Sequence, residues 1–395
     1  MKIIFVSSGQ YPNGGAAANR HLAYAKGLIE LGHEVEFILL VKQNWNKKEV
    51  LDQGIKFTCV SLRTKNKLSK IAKFKLFYKT IGEANNVIFS AHQKREISCL
   101  VLLDTRIEVL IPLLNKARKF GIKVFHERTE YPFIYGGKTI IGKITLYIYL
   151  KFVLQKFDGL YVINNALKKY FLELTKNKID IIVINMIVDS SRFEIVKNKS
   201  TDRFKKITYC GGIEGDKDGI PILIESFSLI ANEFPLTRLQ LITASTNPIT
   251  RQRMFALAQK FGIADRFSMR GPINRDQIPR LLCDSDILAL SRPDNAQAEG
   301  GFPTKLGEYL ATGNPVVITN VGEINLFLND GLNAFIAEPN SSEQFANKLR
   351  EALKSDKADK IGIEGRKLVY KQFNYLQQAK ILAEFFEEQI NSNIH

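Results

Sequence analysis

A chain of 395 residues is too long for one ordinary hydrophobic core, so two domains are expected. Four cysteines, Cys59, Cys99, Cys210 and Cys283, stand far apart with no paired spacing, which excludes a disulfide framework or a cysteine-based zinc site and reads as thiols in a reducing cytoplasm. The formal net charge of +16 is uneven: residues 1–200 hold 33 Lys+Arg against 16 Asp+Glu, and residues 201–395 hold 23 against 24. A positive field confined to one half implies that this half meets something anionic, whether a membrane surface, a phosphate-bearing acceptor or nucleic acid.

Along the first half, short apolar runs alternate with amphipathic stretches. The first, Ile3–Ser7, has too few consecutive apolar residues for a signal-peptide core and reads as a buried strand. Helix Ala17–Leu31 and strand Val35–Val41 follow, then apolar runs at Cys99–Leu103, Lys123–Phe125 and Gly159–Ile163. The most apolar stretch, Ile140 to Leu154, is interrupted by Gly142, Lys143 and Lys151 and falls short of a membrane span. A basic run from Lys65 to Lys79 carries Lys65, Lys67, Lys70, Lys73, Lys75 and Lys79 interleaved with Ile71, Phe74, Leu76, Phe77 and Tyr78. That composition suits an anionic membrane interface, and no nucleic-acid module accompanies it. The expected protein is therefore cytoplasmic, soluble or peripheral on the inner face of a membrane.

The second half repeats the rhythm, with strands at Ile207–Cys210, Leu239–Thr243, Arg266–Met269, Ile287–Leu290, Val316–Thr319 and Ala334–Ala337 and helical patterns between them. Alternation of this kind predicts parallel sheets in two tandem α/β domains. The polar stretch Ser190 to Lys205 has linker composition. It divides an N-terminal domain, 1–195, from a C-terminal one, 205–370, leaving residues 371–395 as a helical segment that could pack on either domain.

The strongest chemical signal is the segment Gly300-Gly301-Phe302-Pro303-Thr304-Lys305-Leu306-Gly307-Glu308, continuing through Gly313 to Val317. It reads as strand, glycine loop, helix and strand, with Pro303 at the first helical position and Gly313 just past the last, about ten residues in all. A glycine pair lets a ligand approach the backbone, and the N–H groups near Phe302, Thr304 and Lys305 would point outward with the positive end of the helix dipole. A diphosphate would fit there. Glu308, one turn after Thr304, can accept hydrogen bonds from ribose hydroxyls.

This segment resembles the donor-binding signature of the family 4 retaining glycosyltransferases, of the glycosyl transferases group 1 type and the surface-polysaccharide kind. The resemblance covers most of the chain. Ile207 to Gly212, followed by Lys217-Asp218-Gly219, is similar to the family's strand, glycine turn (Gly211, Gly212) and phosphate-binding lysine. Arg270-Gly271-Pro272-Ile273 is similar to its base-binding strand end, and Gly322-Glu323 and Asp330-Gly331 to later turns. Gly14-Gly15, ahead of the first helix, resembles its N-terminal glycine loop, and His126 falls where the family carries a histidine near the transferring sugar. Two departures are visible: the family's acid, separated from the later glutamate by seven residues, would fall at Gly300, whereas the nearest acid is Glu299, one position early, and Gly212 stands where an arginine is common.

The resemblance implies a GT-B fold, two Rossmann-like doubly wound domains facing across a cleft. It also implies a hexosyltransferase-type enzyme (EC 2.4) that moves a sugar from a nucleotide diphosphate donor, UDP-sugar favoured over GDP-sugar, to a glycan or lipid-linked acceptor hydroxyl with retention. His126, Lys217 and Glu308 are the expected catalytic group. Gly14, Gly15, Gly211, Gly212, Lys217, Arg270, Gly300, Gly301, Phe302, Pro303, Thr304, Lys305 and Glu308 would bind the donor. No cofactor or metal is expected; Asp284-Ser285-Asp286 ends a helix and enters a strand, where a metal-bridging pair would need an open loop. Alternatives are a sugar-nucleotide epimerase of the same fold and a non-catalytic nucleotide-sugar-binding partner.

Overall fold

The structure, a computed structural model, describes residues 1–45, 47–61, 69–94, 97–135, 139–195 and 204–392, less the side chains of Lys70, Lys73, Lys94 and Tyr135. It divides into two compact units. The first is Met1–Ile187 together with the segment from Tyr375, and the second is Val188–Asn374.

The first unit runs β1 (Lys2–Ser7), α1 (Ala16–Glu30), β2 (Glu34–Leu39), β3 (Glu49–Asp52), β4 (Ile55–Cys59), α2 (Lys70–Lys94), β5 (Cys99–Leu102), α3 (Ile107–Lys119), β6 (Lys123–Arg128), α4 (Pro132–Tyr135), α5 (Ile140–Ile148), β7 (Gly159–Val162), α6 (Asn165–Thr175) and β8 (Asp180–Val183). These strands form one sheet in the order β3-β4-β2-β1-β5-β6-β7-β8. All pairs are parallel except β3 with β4, a hairpin the alternation does not predict. Its two turn residues, Gln53 and Gly54, both adopt left-handed backbone (φ 50° and 80°), the combination that matches the twist of two short antiparallel strands. Helix α1 ends where the sequence indicates: the Gly32 N–H bonds Ile29 O and the His33 N–H bonds Leu28 O, which needs the left-handed φ of 86° at Gly32.

The second unit runs β9 (Lys205–Cys210), α7 (Ile220–Ala231), β10 (Thr237–Ile242), α8 (Pro248–Lys260), β11 (Phe267–Arg270), α9 (Ile278–Cys283), β12 (Ile287–Leu290), α10 (Ala296–Glu299), α11 (Thr304–Ala311), β13 (Val316–Thr319), β14 (Phe335–Ala337), α12 (Ser342–Lys354) and α13 (Ala358–Leu368). Its parallel sheet has the order β11-β10-β9-β12-β13-β14. The chain winds outward one way from β9 to β11 and the other way from β12 to β14. The carboxyl ends of β9 and β12 therefore flank the point where the winding reverses, the place where open α/β sheets bind ligands.

The last helix, α14 (Tyr375–Asn391), belongs to the first unit, where it packs along α1. Phe386 meets the Phe125 ring at 4.3 Å between centroids, and Ala379, Leu382 and Phe385 are buried with it. The division falls at Ile187–Val188, earlier than the polar stretch suggested. Val188 is buried, its N–H bonds Phe373 O at 2.9 Å, and Ser190–Phe193 form a 3₁₀ turn of the second unit with Ser190 and Phe193 buried. The expected linker core, residues 197–201, lies outside the described residues. Among the described residues no helix is long and apolar enough to cross a membrane.

The α1–α14 contact is closest at Gly27, where an added Cβ would lie 2.5 Å from Ala379 Cβ and 2.7 Å from Tyr375 O. A Gly27→Leu substitution therefore pushes the two helices apart and costs roughly 1–3 kcal/mol. In scanning calorimetry the transition of the first unit should drop in temperature while that of the second stays in place.

Candidate functional site

In the second unit, β9 leads into the Gly211-Gly212 turn and β12 into Ser291-Arg292. Between them lies a buried carboxylate, Asp218. The Tyr209 hydroxyl stands 2.7 Å from Asp218 Oδ2, Lys305 Nζ bonds the same oxygen, and Arg292 Nε lies 3.8 Å from Oδ1. Burial alone would raise the Asp218 pKa, but Lys305 and the other donors hold it below the usual carboxylate range. The next residue, Gly219, has φ 62°, and a Cβ there would sit 2.0 Å from Ser291 O, so only glycine lets the chain pass against the end of β12. The Ser291 hydroxyl closes that contact by donating to Gly219 O at 2.8 Å. Gly211 is equally crowded: a Cβ would meet Lys305 Nζ and Tyr209 Oη, each at 2.5 Å.

Helix α11 starts one residue later than expected and spans eight residues, with Pro303 as its cap and Gly313 past its end at φ 70°. Pro303 provides no side-chain cap, and the first turn carries no acid. The first N–H groups of α11 thus keep the dipole's positive end. Gly300, Gly301, Phe302 and Pro303 are buried. The Phe302 ring packs on Phe327 and Phe373 at 5.6 and 6.1 Å between centroids, so of Phe302 only the backbone is left for a ligand. The Tyr309 hydroxyl, from the inner face of α11, accepts from Cys210 N at 2.6 Å and donates to Cys210 O at 3.2 Å, pinning the helix to the end of β9.

Of the predicted residues, the structure thus brings Gly211 and Lys305 together at the switch point, with Gly212 in the same turn, while Gly300–Thr304 lead into the start of α11. Lys217 is exposed in the turn before Asp218, and Arg270 is exposed at the end of β11. Glu308 is engaged by Arg192, with Nη1 3.1 Å from Oε1, while Arg192 Nη2 donates to Arg275 O at 3.0 Å. Sequence reasoning missed Arg192, which sat inside the presumed linker, and passed over Asp218 beside the more conspicuous Lys217. Asp284 pairs with Arg280 at 2.9 Å, and Asp286 Oδ2 accepts from Lys206 N at 2.7 Å. Among the described residues no group of three or more His, Cys, Asp or Glu could hold a metal ion.

In the first unit, the loop between β1 and α1 is tied to a buried polar cluster. Arg20 bonds Glu127 in bidentate fashion at 2.8 and 2.9 Å, and His21 Nε2 donates to Glu127 Oε2 at 2.7 Å. Burial alone would raise the Glu127 pKa, but Arg20 and His21 hold it well below the carboxylate range, while burial lowers that of His21. Neutral His21 accepts from the Tyr11 hydroxyl at 2.5 Å, which lies 3.3 Å from Ser7 Oγ, which in turn accepts from Gly9 N at 3.0 Å. Glu127 thereby fixes the loop carrying Gly14 and Gly15. A Cβ on Gly14 would lie 2.2 Å from Gln10 O, so the loop's close turn onto α1 requires glycine, whereas Gly15 is open. Beside the loop is a cavity of about 450 Å³ lined in part by Lys42, Gln43, Trp45, Lys47 and Lys48, and Gln43 and Trp45 hold the loop through Tyr11 N and Tyr11 O.

His126 does not stand open to a sugar. It is fully buried at the centre of β6, its ring stacked on Phe157 at 4.6 Å between centroids. Nδ1–H donates to Leu102 O at 2.6 Å, so Nε2 accepts from Tyr149 at 3.0 Å. Burial, aided by Arg128, lowers its pKa to about 3. The neighbouring position, Glu127, is the one that carries the buried carboxylate of the Arg20–His21 cluster. The sequence could not separate the two, because β6 runs to Arg128, three residues beyond the predicted end.

The switch-point strand order, the glycine turn and the helix with an uncapped N-terminus define a doubly wound α/β unit, accompanied in this chain by a second doubly wound sheet. That is the fold of the GT-B glycosyltransferases. Residues 204–355 match the family model of glycosyl transferases group 1. An uncharacterized glycosyltransferase of Methanocaldococcus jannaschii is 22% identical over 288 residues, covering 68% of this chain and 76% of that protein. Similar solved structures include sucrose-phosphate synthase from Thermosynechococcus elongatus (TM-score 0.78, 15% identity, 98% of each chain). A glycosyltransferase from Rickettsia africae has a TM-score of 0.73 at 18% identity over 99% of each chain. HepE from Anabaena, in complex with UDP and glucose, has a TM-score of 0.71 at 15% identity, covering 98% of this chain and 99% of that one.

The buried histidines give a pH signature. An unfolded imidazole takes its proton near pH 6.5 and folded His126 only near 3, so between these values the unfolded chain binds the extra proton and acid favours unfolding. Stability should be fully present above pH 6.5 and fall by up to about 1.4 kcal/mol per pH unit for this group as pH drops. Guanidinium titrations between pH 7.5 and 5 should show a slope that is shallower by about one proton in His126→Asn.

Proposed function

We propose that this protein is a retaining, metal-independent glycosyltransferase that uses a nucleotide diphosphate sugar, preferably a UDP-sugar, to glycosylate an acceptor hydroxyl of a lipid-linked or surface glycan. The observation that carries this reading is the convergence, at the switch point of the second sheet, of the Gly211-Gly212 turn, the uncapped start of α11 and the Lys305 and Arg292 cations around Asp218. In transfer, the bond from the anomeric carbon to the donor phosphate oxygen breaks and the diphosphate leaves with the electron pair. The acceptor oxygen bonds to that carbon, and the hydroxyl proton passes to the departing phosphate. Charge growing on the diphosphate would be met by the α11 N–H groups and by Lys305, with Lys217 approaching from the turn. These are fixed dipoles and cations that do the work otherwise given to a divalent ion. Glu308 would take the ribose hydroxyls, exchanging part of its bond to Arg192 for them. Retention is supported by the motif resemblance, and the UDP preference by that resemblance and by the fold shared with UDP-bound HepE. The basic first unit, with its lysine-lined cavity, suits a phosphate-bearing acceptor at an anionic membrane surface.

Two measurements test the reading. Glu308→Ala should weaken UDP binding in calorimetry about ten- to hundredfold, the loss of a charged hydrogen bond, with the circular dichroism unchanged. An unaltered affinity removes Glu308 from the donor site. Transfer from a UDP-sugar, followed by NMR of the new anomeric centre, should show the donor configuration and persist in excess EDTA. Loss of activity restored by magnesium or manganese, or an epimerised donor with no glycoside, contradicts the proposal.

A further inference from the structure

Helix α5 is built inside out. In a helix on the surface of a soluble domain the apolar stripe faces the core and the polar stripe faces water. Here Ile140, Ile141, Ile144, Tyr147 and Phe152, spaced along one face of α5 and the π turn at Tyr149–Val153 that continues it, are 78%, 77%, 55%, 55% and 53% exposed. None of the nine residues of α5 is buried; the helix is held by its continuation, in which Tyr149, Val153 and Leu154 are buried, and its start by the Thr139 side chain, which accepts from Gly142 N at 3.0 Å. A nine-residue helix is marginal on its own, and the usual compensation is burial of its apolar face. That face is instead turned outward, and the contiguous apolar surface it forms marks an interaction site.

The chemistry of the rim selects the occupant. Lys143 and Lys151 flank the apolar stripe and are exposed. The Lys151 ammonium bonds the Tyr147 hydroxyl at 2.6 Å and lies 5.1 and 5.4 Å from the Tyr147 and Phe152 ring centroids, so its stem covers the aromatic edge while its charge stays at the rim. Isoleucines at one end, the aromatics Tyr147 and Phe152 at the other, with the polar tip of Tyr147, and lysines alongside are the arrangement that sits at the boundary between headgroups and acyl chains. The positive excess of the whole chain lies in its first 200 residues. In the fold, α3 touches both α2 and the π turn that follows α5, so the lysine-bearing α2, with exposed Ile71, Phe74 and Tyr78, occupies the same face of the first sheet.

We propose that the Ile140–Phe152 face inserts into the interface of an anionic lipid bilayer, adding a salt-resistant hydrophobic contact to the electrostatic attraction of the basic first unit. This rests on reading that unit as membrane-facing and is independent of the chemistry of transfer. The test is flotation of the full chain with vesicles of phosphatidylcholine alone or of phosphatidylcholine mixed with anionic phosphatidylglycerol, at low salt and at about 1 M salt, where the Debye length shrinks to roughly 3 Å. The wild type should float with anionic vesicles and keep a measurable fraction bound at high salt. The triple variant Ile140→Ser, Ile141→Ser, Ile144→Ser changes only outward side chains, so its melting temperature should match the wild type, while its vesicle partitioning falls at least about tenfold. Lys75→Glu with Lys79→Glu should lower binding at low salt and leave the salt-resistant part in place. Wild-type binding abolished by high salt, or unchanged in the serine variant, overturns insertion by α5 while leaving electrostatic attachment standing. No wild-type flotation under any condition overturns the membrane-facing reading itself. A concentration-dependent dimer that the serine substitutions dissociate, without any vesicle effect, would assign the face to a second copy of the chain.

Discussion

A carboxylate in a nearly water-free position must recruit cations or give up its charge, and in the second unit Asp218 recruits Lys305, Arg292 and the Tyr209 hydroxyl from three separate elements. That requirement pulls the start of α11 toward the ends of β9 and β12, and the Gly211 and Gly219 backbones must then pass within contact of the ion pair and of Ser291. The cationic groups are consequently held in position before any ligand arrives. A donor diphosphate would compete with Asp218 for charges already desolvated and oriented, which is the condition under which electrostatic stabilisation is largest.

The first unit uses the same device for another end. Glu127 gathers Arg20 and His21 from α1 and, through Tyr11 and Ser7, reaches the backbone at Gly9. A glycine loop has little to fix it from within, so the order of the Gly14-Gly15 turn is set by a charge cluster in the second turn of α1. Replacing such a cluster with apolar side chains could leave the unit folded and its loop undirected. A buried ionic network is thus better read as a positioning device than as a source of stability.

Much of this was legible in the sequence. The parallel strands were visible because strands covered on both faces are near-continuous apolar runs, and β12 and β13 fall on the predicted residues. The Gly300–Gly313 segment announced its loop and helix through backbone preferences that act locally. What stayed hidden depends on contacts between distant residues. Lys305 and Arg292 lie 87 and 74 positions from Asp218 and share no local pattern with it. His126 and Glu127 are adjacent, and only the register of β6 decides which of them meets the charge cluster and which is sealed against Phe157. The unit boundary was misplaced because the crossing at Ile187–Val188 lies in an apolar stretch, since its backbone pairs with the returning chain at Phe373 instead of facing water.

The return of α14 to the first unit also bears on the order in which the chain can fold as it is made. A ribosome releases residues from the amino end, so residues 1–187 emerge first, yet their core is finished by Ala379, Leu382, Phe385 and Phe386. The second unit, continuous in sequence, has everything it needs once Asn374 has emerged. The first must wait, with the groove along α1 and the Phe125 ring uncovered, until the last helix is synthesised. The earliest part of the chain is therefore the last to be completed, and during that interval its open groove is a binding surface for any holdase chaperone that recognises exposed aromatic side chains.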